Sequence, residues 1–184
     1  GTRVDAIRVD RAMNLTSRYL ELYKFEYIVF VNTAAAILGQ ESPEFAGFLS
    51  QAVLALPGDK NIEHAIEEDL RIGENKSYQS EYLGRLFNKL NRIGAAVYAV
   101  QDKEEDLCKI REKMSRYYDR LTFEGSLWQE DESLDTMVNA INIMAPDVLL
   151  ICGKYERIWD FFKEYGSKIN AGICFCMEEI AAEE

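Results

Sequence analysis

Short apolar runs, none of them interrupted by a polar residue, alternate along this chain with longer segments whose apolar residues recur at helical spacing. Tyr27-Ile28-Val29-Phe30-Val31 is the first run. Val53-Leu54-Ala55-Leu56, Ala95-Ala96-Val97-Tyr98-Ala99-Val100, Val148-Leu149-Leu150-Ile151-Cys152 after Asp147, and a last one over 171–176 follow it. A strand that is apolar at every position, and not at every second one, is buried on both faces. Helices on both sides of a parallel sheet provide that burial, and strands alternating with helices are how such a sheet is wound. The intervening segments read as helices over 34–39, 43–51, 79–92 (closed by Gly94), 104–118, 133–144 and 155–165. A further helix carries Ala12, Leu15, Tyr19 and Leu22 behind Asp10 as its cap. Residues 120–123 read as one more short strand, and 4–9 alternate weakly, as a small edge strand or hairpin would. Residues 67–80 form a polar loop, and 177–184 an acidic tail that frays. The expectation is a single α/β domain over residues 1–184, Rossmann-like, with a mostly parallel sheet flanked by helices.

Composition narrows the function. The chain has 184 residues, 48% of them hydrophobic and 29% charged, which suits one globular domain. Its net charge of −11 is repelled by phosphate backbones and by anionic leaflets, so neither nucleic acid nor a membrane surface is an expected partner. The longest apolar stretch is broken by Asn32 and Thr33, well short of the roughly 18–20 residues that cross a bilayer. Gly1-Thr2-Arg3-Val4-Asp5 leads into no apolar leader segment. Cys108, Cys152, Cys174 and Cys176 fit no common zinc spacing and read as small buried side chains kept reduced. His64 is the only histidine, which leaves no parts for a histidine-based metal site. A cytoplasmic protein without metal or bound cofactor is expected.

Ligands of parallel sheets gather at the carboxyl ends of the strands. That points to Asn32-Thr33, Pro57-Gly58-Asp59, Gln101-Asp102, Gly125 and Gly153-Lys154. Asn32 and Thr33 offer an amide and a hydroxyl to a phosphate, sugar or base; otherwise Thr33 caps the helix that follows. Asp59 can take a proton from a sugar hydroxyl or hold a cation; otherwise it caps residues 62–66. Gly153 would let a ligand approach the backbone, with Lys154 or Arg157 meeting a phosphate; the same residues also suit a plain strand-to-helix turn. Gln101-Asp102-Lys103-Glu104-Glu105 has no glycine and three acids, so it disfavours a diphosphate. Trp128, Trp159, Phe161 and Phe162 read as core or interface.

Taken in order, these blocks resemble the bacterial WecG/TagA/CpsF glycosyltransferase family. The similarity runs through Val31-Asn32-Thr33, Pro43-Glu44-Phe45, Ala52-Val53-Leu54-Ala55-Leu56-Pro57, Phe123-Glu124-Gly125, Ile141-Asn142 and Ala145-Pro146-Asp147-Val148-Leu149-Leu150-Ile151. Family members transfer N-acetylmannosamine or related sugars from UDP-sugars to undecaprenyl-diphosphate-linked acceptors, in teichoic acid, common antigen and capsule synthesis. The resemblance implies a Rossmann-like fold, a UDP-sugar donor, a lipid-linked acceptor and self-association. It implies Asp59 as catalytic base and Thr33 at the sugar, with Asn32, Gly58, Gly125, Gly153, Lys154 and Glu156 binding substrate. The motifs are altered. The family's P-D-G reads Pro57-Gly58-Asp59, which displaces the aspartate by one residue and puts Gly58 in its place. The glycine-rich loop after the third long strand has become 101–105, the G-x-P-K-Q-E block has become Gly153-Lys154-Tyr155-Glu156, and no arginine stands in 74–83. Family members also carry a C-terminal appendage beyond the point where this chain reaches Glu184. Two readings follow: a divergent transferase of cell-surface polysaccharide synthesis, or a non-catalytic relative that binds a nucleotide-sugar, glycan or protein and regulates or scaffolds. An unrelated α/β binding protein of similar fold is the third.

Overall fold

The computed structural model describes residues 2–66, 68–73, 75–130 and 133–180. Its elements are α1 (Val9–Leu22), β1 (Tyr27–Val31), α2 (Thr33–Glu41), α3 (Pro43–Gln51), β2 (Leu54–Pro57), α4 (Lys60–Ala65), α5 (Tyr78–Ile93), β3 (Ala96–Gln101), α6 (Glu104–Tyr117), β4 (Thr122–Leu127), α7 (Leu134–Met144), β5 (Val148–Cys152), α8 (Tyr155–Tyr165) and β6 (Ile173–Met177). The strands form one six-stranded sheet in the order β2-β1-β6-β5-β3-β4, and every adjacent pair is parallel. All carboxyl ends therefore lie along one edge.

The uninterrupted apolar runs do what their composition requires. Ile28, Phe30, Leu150 and Phe175 face a core closed by α1, α5 and α6. Val29, Val31, Leu149, Ile151 and Cys174 face a second core closed by α2, α3, α7 and α8. The crossovers that step toward β4, from β2 to β3 and from β3 to β4, run over the first face. Those that step the other way, β1 to β2, β4 to β5 and β5 to β6, run over the second. All thus share one hand, as parallel crossovers do. The connection out of β3 departs toward β4, whereas that out of neighbouring β5 departs toward β6, so a crevice opens between their carboxyl ends.

Several expectations change. Residues 4–8 form no strand; Asp5 makes a short tether to β2, its N–H donating to the Ala55 carbonyl (2.7 Å) and its carboxylate accepting from the Ala55 N–H (2.9 Å). One such reciprocal contact is too little for a ladder. Arg8, not Asp10, is the cap of α1, and Asp10 sits in its first turn. β4 runs to Leu127, further than its weak apolar signal implied, because an edge strand is half exposed and needs no continuous apolar run. Within the tail read as frayed, Met177 closes β6 and is fully buried, and Glu179 and Ile180 also make contacts. Residues 181–184 lie outside the described residues, as do Glu67 and Glu74 of the polar loop. That loop ends at Ser77, which caps α5. Phe161 is buried, and Trp159 and Phe162 pack against the second core, with Phe162 against Tyr27 and Phe48; these aromatics are core residues.

Candidate functional site

At the end of β1, Asn32 has extended backbone and its Oδ1 accepts from the Ala35 N–H (2.9 Å). Asn32 therefore caps α2, and Thr33 is the first helical residue. With its acceptor committed to the cap, the Asn32 side-chain amide turns its NH2 toward the Glu178 carboxylate and donates to it.

At the end of β2, Asp59 caps α4 through Oδ1, which accepts from the Ile62 N–H (2.9 Å). Its Oδ2 accepts from both the backbone N–H and the hydroxyl of Thr33, each at 2.8 Å. Partial burial raises its proton affinity, but the N–H groups of Ile62, Thr33 and Asn61 and the Thr33 hydroxyl outweigh it, so the Asp59 carboxyl titrates below the usual aspartate range. Asp59 thus ties β2 to β1, with both oxygens occupied.

Gly58 sits tightly against the end of β1. A Cβ on Gly58 would lie 2.8 Å from the Asn32 nitrogen and 2.8 Å from the Val31 carbonyl carbon. Both are backbone atoms, and the Gly58 N–H donates to the Val31 carbonyl at 2.8 Å. A side chain at position 58 has no room.

The β3/β5 crevice holds a different arrangement. Gly153 adopts φ 158°, and a Cβ there would lie 2.8 Å from Trp128 Nε1 and 3.3 Å from the Asp102 carboxylate oxygens. The Trp128 indole donates to the Cys152 carbonyl (2.7 Å), and the Arg157 guanidinium lies over its ring at 4.8 Å. Arg157 also pairs with Asp102 at 3.4 Å. Beside them is a concavity of about 350 Å3 lined by Trp128, Leu134, Arg157, Asp160, Phe161 and Glu164.

Helix amino ends decide where an anion fits on this edge. α2 and α4 are capped by Asn32 and Asp59. α6 lacks a side-chain cap but opens with Glu104, Glu105 and Asp106. α8 also lacks one; it opens on exposed Lys154 with Glu156 as its first-turn acid and Arg157 nearby. Its amino end is therefore the anion-favouring one of these four.

Tyr155 holds the middle of the edge. Its hydroxyl donates to the Phe30 carbonyl, and burial pushes its proton affinity far up. Gly153 N–H donates to the Met177 carbonyl (3.0 Å), so β5, β6 and β1 end in register around this phenol.

The structure thus gathers Asn32, Thr33, Gly58 and Asp59 at one part of the edge, and Gly153, Lys154 and Glu156 at another. Gly125 does not join them. It lies inside β4 opposite Ala99, and a Cβ there would come within 2.7 Å of the Leu107 side chain, so its smallness seats α6. Asp147 is at the opposite edge, where it accepts from the Ala96 N–H (2.8 Å). Cys152, Cys174 and Cys176 are buried and Cys108 is exposed. His64 is exposed on α4. Among the described residues no three His, Cys, Asp or Glu side chains converge, and no helix is long and apolar enough to cross a membrane. Sequence reasoning missed Trp128 as a wall of the crevice, and Glu178. Glu178 follows β6, whose extension to Met177 lies past the apolar run read over 171–176.

A single parallel sheet, covered on both faces and opening a crevice at a switch point, makes this a Rossmann-like α/β protein. The glycosyl transferase WecG/TagA/CpsF family model matches residues 1–180, and the chain belongs to that family. No individual curated protein matches it.

Proposed function

We propose that this protein is a divergent transferase that takes a UDP-sugar as donor and a lipid-linked acceptor of cell-surface polysaccharide synthesis. The family match over residues 1–180 carries this reading. The edge geometry supports a division of labour. The diphosphate lies at the amino end of α8, which has no side-chain cap, with exposed Lys154 facing it, Glu156 bounding it and Gly153 behind them. The uridine lies toward the β3/β5 crevice beside Trp128. The sugar points toward Asn32 and Thr33, which places it near Gly58 and Asp59. No metal is invoked; Lys154 and the helix end balance the charge.

The experiment is a calorimetric titration with UDP and UDP-N-acetylhexosamines. Micromolar binding is expected, weakened about ten- to hundredfold by Lys154→Glu, the worth of one charge-assisted contact. No heat at millimolar nucleotide would overturn the reading.

One observation favours the alternative, a nucleotide-sugar-, glycan- or protein-binding relative without turnover: both Asp59 oxygens are committed within the fold. To serve as base, Asp59 must first be released by Thr33. UDP binding without UDP-sugar turnover would select this alternative.

A further inference from the structure

We propose that Glu178 is the general base that activates the acceptor hydroxyl, an inference that rests on the transferase reading above. A general base needs an available carboxylate oxygen, fixed in direction, beside the reacting group. Asp59 fails the first requirement, since Oδ1 is held by Ile62 and Oδ2 by Thr33. Its lowered proton affinity also makes it a weak base.

Glu178 meets these requirements. It directly follows β6, the strand between β1 and β5, so it sits between the two parts of the site. Its backbone is fixed on both sides. It leaves β6 directly from the fully buried Met177, and the Glu179 carbonyl accepts from the Gln79 side chain at 3.1 Å. Its side chain is exposed and is held by the Asn32 amide through Oε2. Asn32 is itself locked by capping α2, so its NH2 has one direction. Asn32 is the positioning residue and Glu178 the base.

In the step, the acceptor O–H gives its proton to the Glu178 carboxylate. The acceptor oxygen forms the bond to the anomeric carbon, and the bond from that carbon to the β-phosphate oxygen breaks with its electron pair on UDP. With water as acceptor the same step releases free sugar.

The test measures UDP release from UDP-N-acetylhexosamines, with water as acceptor, between about pH 5 and 9, alongside UDP binding and thermal melting. Glu178→Gln is expected to lower kcat by about 100-fold or more and to erase the acid limb of the pH profile, with UDP affinity and melting unchanged. Asn32→Asp keeps the cap acceptor but removes the donor and adds a like charge; it is expected to move the acid limb to higher pH. Full turnover and an intact acid limb in Glu178→Gln would overturn the assignment, as would Asp59→Asn abolishing turnover while it melts like the wild type. A wild-type protein that binds UDP but turns over no donor would instead overturn the transferase reading, and this assignment with it.

Discussion

The two parts of the carboxyl edge are built in opposite ways. Between β1 and β2, each polar group is committed to the fold: Asn32 and Asp59 cap helices, Thr33 is bound twice to Asp59, and Gly58 lies against the neighbouring backbone. Between β3 and β5, closure rests on a half-exposed ion pair, Asp102–Arg157, and on Arg157 stacked over Trp128. A half-exposed pair contributes at most about 1 kcal/mol, and a cation over the ring of the buried Trp128 about 1–2 kcal/mol. In the first part the Asp59 oxygens, both held by Ile62 and Thr33, and the Asn32 acceptor are therefore taken up by the fold. In the second, only the Asp102–Arg157 lid is half exposed, above a Trp128 that is buried and bonded to the Cys152 carbonyl.

The sharpest way to break this contrast is Gly58→Asp. Its Cβ would meet backbone at 2.8 Å on the most constrained part of the edge. The expected loss is about 3 kcal/mol, a fall in melting temperature of about 6–12 °C for a chain of this size. A melting temperature within a degree of wild type would show that β1 and β2 can separate.

Asp59→Asn comes next. It keeps a cap acceptor but loses the charge and weakens the bonds from Thr33, with an expected cost of about 1 kcal/mol. The pH dependence has a definite sign. The folded-state proton affinity of Asp59 is below that of the unfolded chain, so its contribution is fully present above the unfolded value, about pH 4. It is lost as pH falls through the lower folded value. The stability gap between wild type and Asp59→Asn should therefore be constant from neutral pH down to about pH 5 and close in stronger acid. Denaturant titrations across that range measure it, and a gap that widens in acid would refute the assignment.

The two parts were unequally legible in the sequence. Both-face burial marks a strand by composition alone, so β1, β2, β3, β5 and β6 were readable from apolar runs. Their order in the sheet was not, because composition carries no information about neighbours. The residues at the strand ends were also readable, since strand ends follow from strands. What they touch was not. Thr33 and Asp59 are 26 residues apart, and their contact follows from β1 pairing with β2. Gly125 shows the reverse error. A glycine near a turn resembles a site, but its neighbour is Leu107 of a helix that precedes it in the chain. Glu178 escaped because the acidic composition of the last residues masked the one-residue extension of β6 to Met177.

The smallest expected effect on stability sharpens the comparison most. Arg157→Ala removes the ion pair to Asp102, the stack over Trp128 and a 3.3 Å bond to the Gln129 carbonyl. Arg157 is half exposed, so the cost should stay at the lower end of these contributions, about 1 kcal/mol, or roughly 2–4 °C in melting temperature. The ligand effect is separable from stability. Without the guanidinium, the Asp102 carboxylate loses its counter-charge and the Trp128 face is uncovered. If the pair only closes an empty crevice, nucleotide has to displace it, and Arg157→Ala should bind UDP as well as wild type or more tightly. If Arg157 itself meets the diphosphate, binding should fall by about tenfold or more. In a Trp159→Phe background, Trp128 fluorescence reports both cases, because the indole is the wall of the crevice and loses its stacked cation in the variant. A shift in Trp128 emission on adding UDP in that background, absent when Lys154→Glu is added, would place ligand entry at the β3/β5 part of the edge. A shift unaffected by Lys154→Glu would show that the amino end of α8 does not hold the anion.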